Sequence, residues 1–94
     1  KGTRPVLIVS PQDFNTVTQT PIILPITTKS NFARIAGFTV SLDNCGTQTK
    51  GIIRCDQVRT LDLPARKAKK LETVPPAIID EVMAILETIF DFDN

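Results

Sequence analysis

The sequence has no histidine, no tryptophan and no tyrosine, and only two cysteines. Cys45 and Cys55 lie ten residues apart without a CxxC motif, so a zinc site is excluded on ligand count. A cysteine protease is excluded as well, because no histidine is present to pair with a thiol. We interpret Cys55 as a small core residue and expect both thiols to be reduced.

Long apolar runs are also missing. No stretch approaches the roughly 18 apolar residues of a membrane span, and no signal peptide is visible, so we expect a cytoplasmic protein without membrane contact. With 94 residues, 41% hydrophobic and 22% charged, the chain is typical of one globular domain, residues 1–94. It starts at Lys1 without a methionine and enters a strand almost at once. We therefore expect further residues to precede it.

Charge is nearly balanced over the chain but unevenly distributed. Residues 1–71 hold all 11 basic residues against four acidic ones, a net +7, whereas residues 72–94 hold six acidic residues and no base. This asymmetry indicates a body suited to a polyanion and a C-terminal segment that faces away from it, although a basic patch is often only a solvated face.

Short β-branched runs predict strands at residues 4–10, 21–27, 38–42, 50–55 and 59–63. Pro25 indicates a sheet edge or a bulge, because proline donates no ladder hydrogen bond. The runs 38–42 and 50–55 predict a hairpin in which Asn44 or Gly46 takes a positive φ.

Three other segments are assigned from their local pattern. Residues 11–15 predict a turn with one helical turn and Phe14 tucked under it. We interpret residues 65–74 as a strand, although helix is nearly as compatible. The apolar positions of residues 76–90 recur at three- and four-residue spacing, which predicts an amphipathic helix. Together these elements predict an α+β fold, mainly β: a small mixed barrel with a C-terminal helix.

The stretch Gly51–Arg59 carries the chemistry. On a strand, Arg54 and Asp56 share one face and Cys55 takes the other. Without other information such a pair is more often structural. The sharper hypothesis is phosphoryl transfer, in which Asp56 handles a proton and Arg54 meets phosphate charge. Cleavage of RNA without a metal uses the 2′-hydroxyl as nucleophile, and with no histidine available Asp56 is the natural base and Arg54 the clamp on the phosphorane. Arg54 is a poor proton donor, since its pKa exceeds about 12.

Other polar and aromatic residues fit single-stranded RNA. Thr27 and Thr28 can hydrogen-bond a phosphate or a base edge, although threonines at a strand end are more often structural. Phe32 and Phe38 offer stacking faces for bases. Core packing is the commoner role of an isolated phenylalanine, and for Phe38 it is the stronger expectation.

The strings GTRPVLIVSP, PITTKSNFARIAGF and GIIRCDQVRTLDL, followed by LETVP and the amphipathic helix, resemble the PemK/MazF family of toxins, closest to its plasmid PemK type. The resemblance covers essentially the whole chain in order. It implies an SH3-like β-barrel, a homodimer, and an mRNA endoribonuclease that needs no metal or cofactor and leaves 2′,3′-cyclic phosphate and 5′-hydroxyl ends. It also implies a PemI/MazE-type antitoxin as partner.

By position, the resemblance places the catalytic residues at Arg54 and Asp56. Residues that contact RNA fall on Thr27, Thr28, Asn31, Phe32, Arg34, Ala36, Phe38, Lys50 and Ile52. Lys50 departs from a threonine of the closest relatives, which puts the base preference there in question. The family also uses a glutamate and a histidine from an N-terminal segment that has no counterpart in this sequence; if that segment were deleted, we expect an inactive protein.

Two other functions remain open at this point. CcdB-type toxins resemble the same fold and poison gyrase without cleaving RNA, and a plain SH3-like binding module would leave Arg54 and Asp56 structural.

Overall fold

The computed structural model describes residues 4–28, 36–62 and 69–92. Over these ranges the strands are β1 (Val6–Ile8), β2 (Ile22–Thr27), β3 (Thr39–Ser41), β4 (Ile52–Arg54) and β5 (Arg59–Thr60). The helices are α1 (Gln12–Thr18) and α2 (Pro76–Ile89). Neither helix has the length and apolar character needed to cross a bilayer.

The strands form one antiparallel sheet in the order β1-β2-β4-β3, with β5 also paired to β2. The predicted mainly-β fold with a C-terminal helix is therefore confirmed. Closure of the sheet into an SH3-like barrel is not confirmed. Over the described residues the sheet is open, and no pairing joins β1 to β3.

Pro25 was predicted to mark a sheet edge or a bulge. β2 as a whole is paired on both sides and is not an edge strand, but Pro25 itself has a ladder partner on one side only among the described residues. On one side β2 pairs with β1, and on the other it pairs with β5 through Ile22 and Ile23 and then with β4 through Ile26 and Thr27. Ile26 donates its N–H to the carbonyl of Pro5, the residue before β1. Because N–H groups alternate along a strand, the missing N–H of Pro25 belongs to the other side, where β2 changes partner from β5 to β4. In the described part of the chain no strand is paired with β2 beside Pro25 on that side, so the missing N–H removes no hydrogen bond from the sheet.

The hairpin of β3 and β4 is confirmed, in the register Thr39↔Arg54, Val40↔Ile53 and Ser41↔Ile52. Both Asn44 and Gly46 in the connecting loop have positive φ, at 60° and 90°. This hairpin carries the candidate pair at the end of β4.

The core lies between one face of this sheet and α2. Its buried residues are Leu7, Leu24, Ile26, Val40, Leu42, Ile53, Cys55, Ile78, Val82 and Leu86. The predicted C-terminal helix is confirmed and turns Ile78, Val82 and Leu86 inward, as their spacing predicts. Cys55 is a fully buried core residue, also as predicted.

Three local predictions are wrong in the described residues. α1 has two turns rather than one, and Phe14 lies exposed on it because Asn15 is the residue turned inward, where its side chain hydrogen-bonds to Ser10. The strand predicted at 59–63 is found only at Arg59–Thr60. Residues 61 and 62 are not in a strand, and residue 63 lies outside the described residues. The strand predicted at 65–74 is absent from residues 69–74, which form neither strand nor helix, and residues 65–68 lie outside the described residues.

Candidate active site

Arg54 and Asp56 form a two-bond ion pair where β4 ends. The Nε and Nη2 atoms of Arg54 donate to Oδ1 and Oδ2 of Asp56 over 2.8 and 2.7 Å. Their side chains keep 15% and 23% of their surface exposed. β4 ends at Arg54 and Asp56 lies in the turn that follows, so the two side chains meet although only Arg54 is in the strand. The predicted juxtaposition of cation and carboxylate is confirmed; its role in catalysis stays a prediction.

Asp56 further favours the charged form of Arg54. Its hydrogen bonds raise the pKa of the guanidinium above an already high ordinary value, against a smaller opposing effect of desolvation. The guanidinium therefore stays protonated and acts as a permanent cation. It has five N–H donors, of which two meet Asp56 in this pair.

The residues on either side of Arg54 anchor the pair. Ile53 and Cys55 are fully buried, and the Cys55 N–H donates to the Phe38 carbonyl over 3.0 Å. Desolvation, reinforced by the charges of Asp56 and Glu81, raises the pKa of the Cys55 thiol to about 11. A neutral thiol of this kind packs in the core and takes no part in chemistry.

Register decides which other side chains share the face of Arg54. Residues directly opposite one another in a sheet point to the same side, so Thr39 lies beside Arg54, and Thr27 and Ser41 flank Ile52. The other face carries the buried Ile53. Thr39 and Ser41 are not among the predicted site residues. The signal was present in the sequence, because alternation with Val40 on the predicted strand places both on the face opposite the core.

Thr27 has a buried hydroxyl without a partner. Its Oγ1 atom makes no hydrogen bond to any residue that the structure describes. Such a group costs roughly 1–3 kcal/mol of stability when unpaired. Its register opposite Ile52 places Thr27 on the face that Arg54 shares, with the hydroxyl itself buried from solvent.

The remaining predicted RNA contacts differ in exposure. Thr28, Ala36, Phe38 and Lys50 are exposed, whereas Ile52 is buried. Core packing of Phe38 was the wrong expectation: its side chain is 42% exposed, because it precedes β3 and follows Gly37, whose positive φ breaks the strand alternation. Asn31, Phe32 and Arg34 lie outside the described residues.

In the ranges 4–28, 36–62 and 69–92, no group of three or more cysteine, aspartate or glutamate side chains has the geometry of a metal site. What the described arrangement offers is a fixed cation, a carboxylate and several hydroxyls on one sheet face.

A family model and similar proteins of known sequence all point to the same toxin family. The model of the PemK-like, MazF-like toxins of type II toxin–antitoxin systems matches residues 1–90. "Endoribonuclease PemK" of Escherichia coli is 56% identical over 89 residues, which cover 95% of this chain and 67% of that protein. "Endoribonuclease toxin ChpB" of E. coli K12 is 36% identical over 88 residues, covering 94% and 75%.

Solved structures give the same picture. A crystal structure of MazE–MazF from Deinococcus radiodurans has a TM-score of 0.82 at 28% identity and covers 97% of this chain and 85% of its own. An endoribonuclease bound to its cognate antitoxin from Mycobacterial species has a TM-score of 0.77 at 22% identity, covering 99% and 85%. At that identity the second likeness supports the fold alone.

Proposed function

The chain belongs to the PemK-like, MazF-like toxins of type II toxin–antitoxin systems, and on this premise we propose that it is a sequence-selective endoribonuclease that cleaves single-stranded mRNA and so inhibits translation and growth. The observation that carries the chemistry is the two-bond pair of Arg54 and Asp56 on an accessible sheet face. It offers a base and a phosphate clamp side by side, already oriented before a substrate arrives.

In the proposed reaction a 2′-hydroxyl of the RNA is the nucleophile. Asp56 removes its proton, the 2′-oxygen bonds to the adjacent phosphorus, and the bond from phosphorus to the 5′-oxygen breaks. The products are a 2′,3′-cyclic phosphate and a 5′-hydroxyl, and no cofactor takes part. Arg54 stabilises the extra negative charge of the phosphorane. The proton for the 5′-oxygen comes from a group other than Arg54, because the raised pKa of Arg54 makes it a very weak acid.

The RNA would lie across the face that carries Arg54. Thr39, which lies opposite Arg54 in the hairpin, supports this placement because its hydroxyl is on the same face. The exposed ring of Phe38 supports base stacking, and the exposed Lys50 supports a charge contact. The proposal extends to the other positions carried over from the family, which are Thr28, Asn31, Phe32, Arg34, Ala36 and Ile52.

The family also bears on partners. An antitoxin partner follows from the toxin–antitoxin family and its solved complexes, and we propose that it is of the PemI/MazE type. The proposal includes a homodimer, a location in the bacterial cytoplasm and closure of the sheet into the family's SH3-like barrel.

The test incubates purified full-length toxin with a defined single-stranded RNA in EDTA and maps the ends of the products. We expect fragments with a 2′,3′-cyclic phosphate on one side of each cut and a 5′-hydroxyl on the other. An intact RNA would overturn the proposal, and inhibition of gyrase in the same preparation would favour the CcdB-like alternative. Cleavage that requires an added metal ion would refute the mechanism while leaving an endoribonuclease.

A further inference from the structure

Glu72 connects two parts of the chain that are distant in sequence. Its Oε1 accepts the backbone N–H of Gln48 over 3.1 Å, and its Oε2 accepts that of Thr49 over 2.7 Å. These bonds, with a smaller contribution from Lys50, lower the pKa of the carboxyl below its ordinary value. Glu72 is therefore ionised at neutral pH, and both bonds are charge-assisted.

The segments on both sides of this contact, around Glu72 and around Thr49, are held by other interactions. Two residues beyond Glu72, Val74 packs against the core, and α2 begins at Pro76. In the loop between β3 and β4, Thr47 is 5% exposed and its hydroxyl donates to the Thr49 carbonyl over 2.8 Å. The peptide groups around Thr49 are thus held from two directions.

Lys50 follows Thr49 in the chain, and Gly51, the residue after Lys50, is held in position as well. The Gly51 carbonyl accepts the Leu42 N–H over 2.9 Å. A Cβ atom on Gly51 would lie 2.3 Å from the Thr27 carbonyl oxygen, so this backbone packs closely against β2. Lys50 consequently has a fixed backbone and an exposed side chain.

We propose that Glu72 is a positioning residue for RNA recognition: by holding the amides of Gln48 and Thr49, it fixes the backbone that presents Lys50 to the RNA. The inference rests on the proposed function, because it takes Lys50 to contact the substrate. A pre-positioned lysine loses less conformational freedom on binding, so the contribution belongs to binding. The chemical step stays with Arg54 and Asp56, since Glu72 holds backbone groups of a different segment.

The test compares Glu72→Gln with wild type in RNA cleavage. A glutamine offers one oxygen where two amides need acceptors, and it has lost the charge. We expect KM to rise roughly fivefold to tenfold, the size of a net hydrogen-bond loss, with kcat nearly unchanged. Glu72→Asp keeps the charge and should recover part of the loss. Glu87→Gln removes the same charge from an exposed position of α2 and should behave as wild type.

Hydrogen exchange provides a readout at the loop itself. The amides of Gln48 and Thr49 should lose protection in Glu72→Gln and keep it in Glu87→Gln. Unchanged protection would overturn the anchoring, and lost protection with unchanged KM would overturn its role in RNA recognition. A fall in kcat without a rise in KM would also contradict it.

A double-mutant cycle separates positioning from general damage. If Glu72 acts through Lys50, Glu72→Gln should change KM no further in a Lys50→Ala background. Additive effects would refute the inference while cleavage by wild type still upholds the proposed function. Should Glu72→Gln not fold, Thr49→Pro removes one of the two amides and should give the same rise in KM; an unchanged KM would refute it. If wild type itself leaves RNA intact, the proposed function fails and the inference with it.

Discussion

At the scale of single residues, buried neighbours in the chain and hydrogen bonds between the two side chains position the pair of Arg54 and Asp56. Arg54 lies between Ile53 and Cys55, both fully buried, and its guanidinium is oriented by two hydrogen bonds to Asp56. In the proposed reaction, orientation of this pair before the substrate binds would lower the entropic part of the barrier.

Replacing Asp56 by asparagine should remove the proposed base while preserving the size of the side chain. We expect RNA cleavage to fall by about 10²–10⁴-fold, the usual contribution of general base catalysis, with fold and antitoxin binding retained. Single-turnover cleavage rates measure the effect, and Asp62→Asn at an exposed position is the control. A rate within a few-fold of wild type would remove Asp56 from the mechanism. Arg54→Ala, which removes the proposed phosphate clamp, should abolish cleavage in the same assay.

Cys55 should make the protein sensitive to alkali. Its pKa is raised from 9.0 to about 11, so between these values the unfolded thiol has lost its proton while the folded one keeps it. Raising the pH through this window therefore favours unfolding, by on the order of 2 kcal/mol. Denaturant unfolding from pH 8 to 11 should show this loss in wild type.

The comparison is with Cys55→Ala, which is less stable at every pH because of its cavity but should lack this loss. Cys45→Ala is the matched control, and it should keep the loss because Cys55 is intact. Parallel pH profiles of wild type and Cys55→Ala would contradict the prediction.

At the scale of elements, the hairpin of β3 and β4 depends on how closely β4 can enter the sheet beside β2. Gly51 has φ 125° and lies against the Thr27 carbonyl, a contact with no room for a side chain. This approach brings Thr27 and Ile52 into register two residues before Arg54. A backbone contact therefore sets the position of the site residues.

Gly51→Ala should destabilise the protein by at least about 2 kcal/mol, because strain and a backbone clash add. Gly46→Ala is the control: its φ is 90°, but apart from Gly46 and its two chain neighbours no described residue has an atom within 4 Å of the added Cβ. It should cost roughly 1 kcal/mol, from backbone strain alone. Urea denaturation of both variants measures the difference, and equal losses would show that the close approach to Thr27 is unimportant.

Predictions at this scale succeeded where the local pattern decides the outcome. The helix at 76–89 and the β3–β4 hairpin follow from periodicity and turn residues. Pro25 was foreseen only in part, because its neighbours are strands distant in sequence, whereas Phe14 was misplaced by a contact between residues only five positions apart. Pro25 meets a change from β5 to β4, and Phe14 is exposed because Ser10 binds Asn15.

At the scale of the whole molecule, charge separation is the feature that concerns RNA. The +7 of residues 1–71 and the −6 of residues 72–94 place the basic residues in the part that carries the proposed site. Attraction between such a surface and phosphates raises the rate of encounter and falls with salt.

We therefore expect KM for RNA to rise steeply with salt between about 50 and 200 mM. Each phosphate contact contributes about −0.7 to the slope of log affinity against log salt for a single strand. Lys50→Ala should reduce that slope by about this amount if Lys50 meets a phosphate, and Glu87→Gln should leave it unchanged. A KM that is independent of salt would mean that the charge separation serves another purpose.

The family, the helix, the hairpin and the neighbourhood of Arg54 and Asp56 can be predicted without a structure, because they depend on residues close together in the chain or on its overall pattern. The folded chain is needed to show that Thr39 lies beside Arg54, that the Thr27 hydroxyl is buried without a partner, and that Glu72 holds the amides before Lys50. Each of these depends on strand register or on a contact between distant segments, and packing of the whole chain sets both.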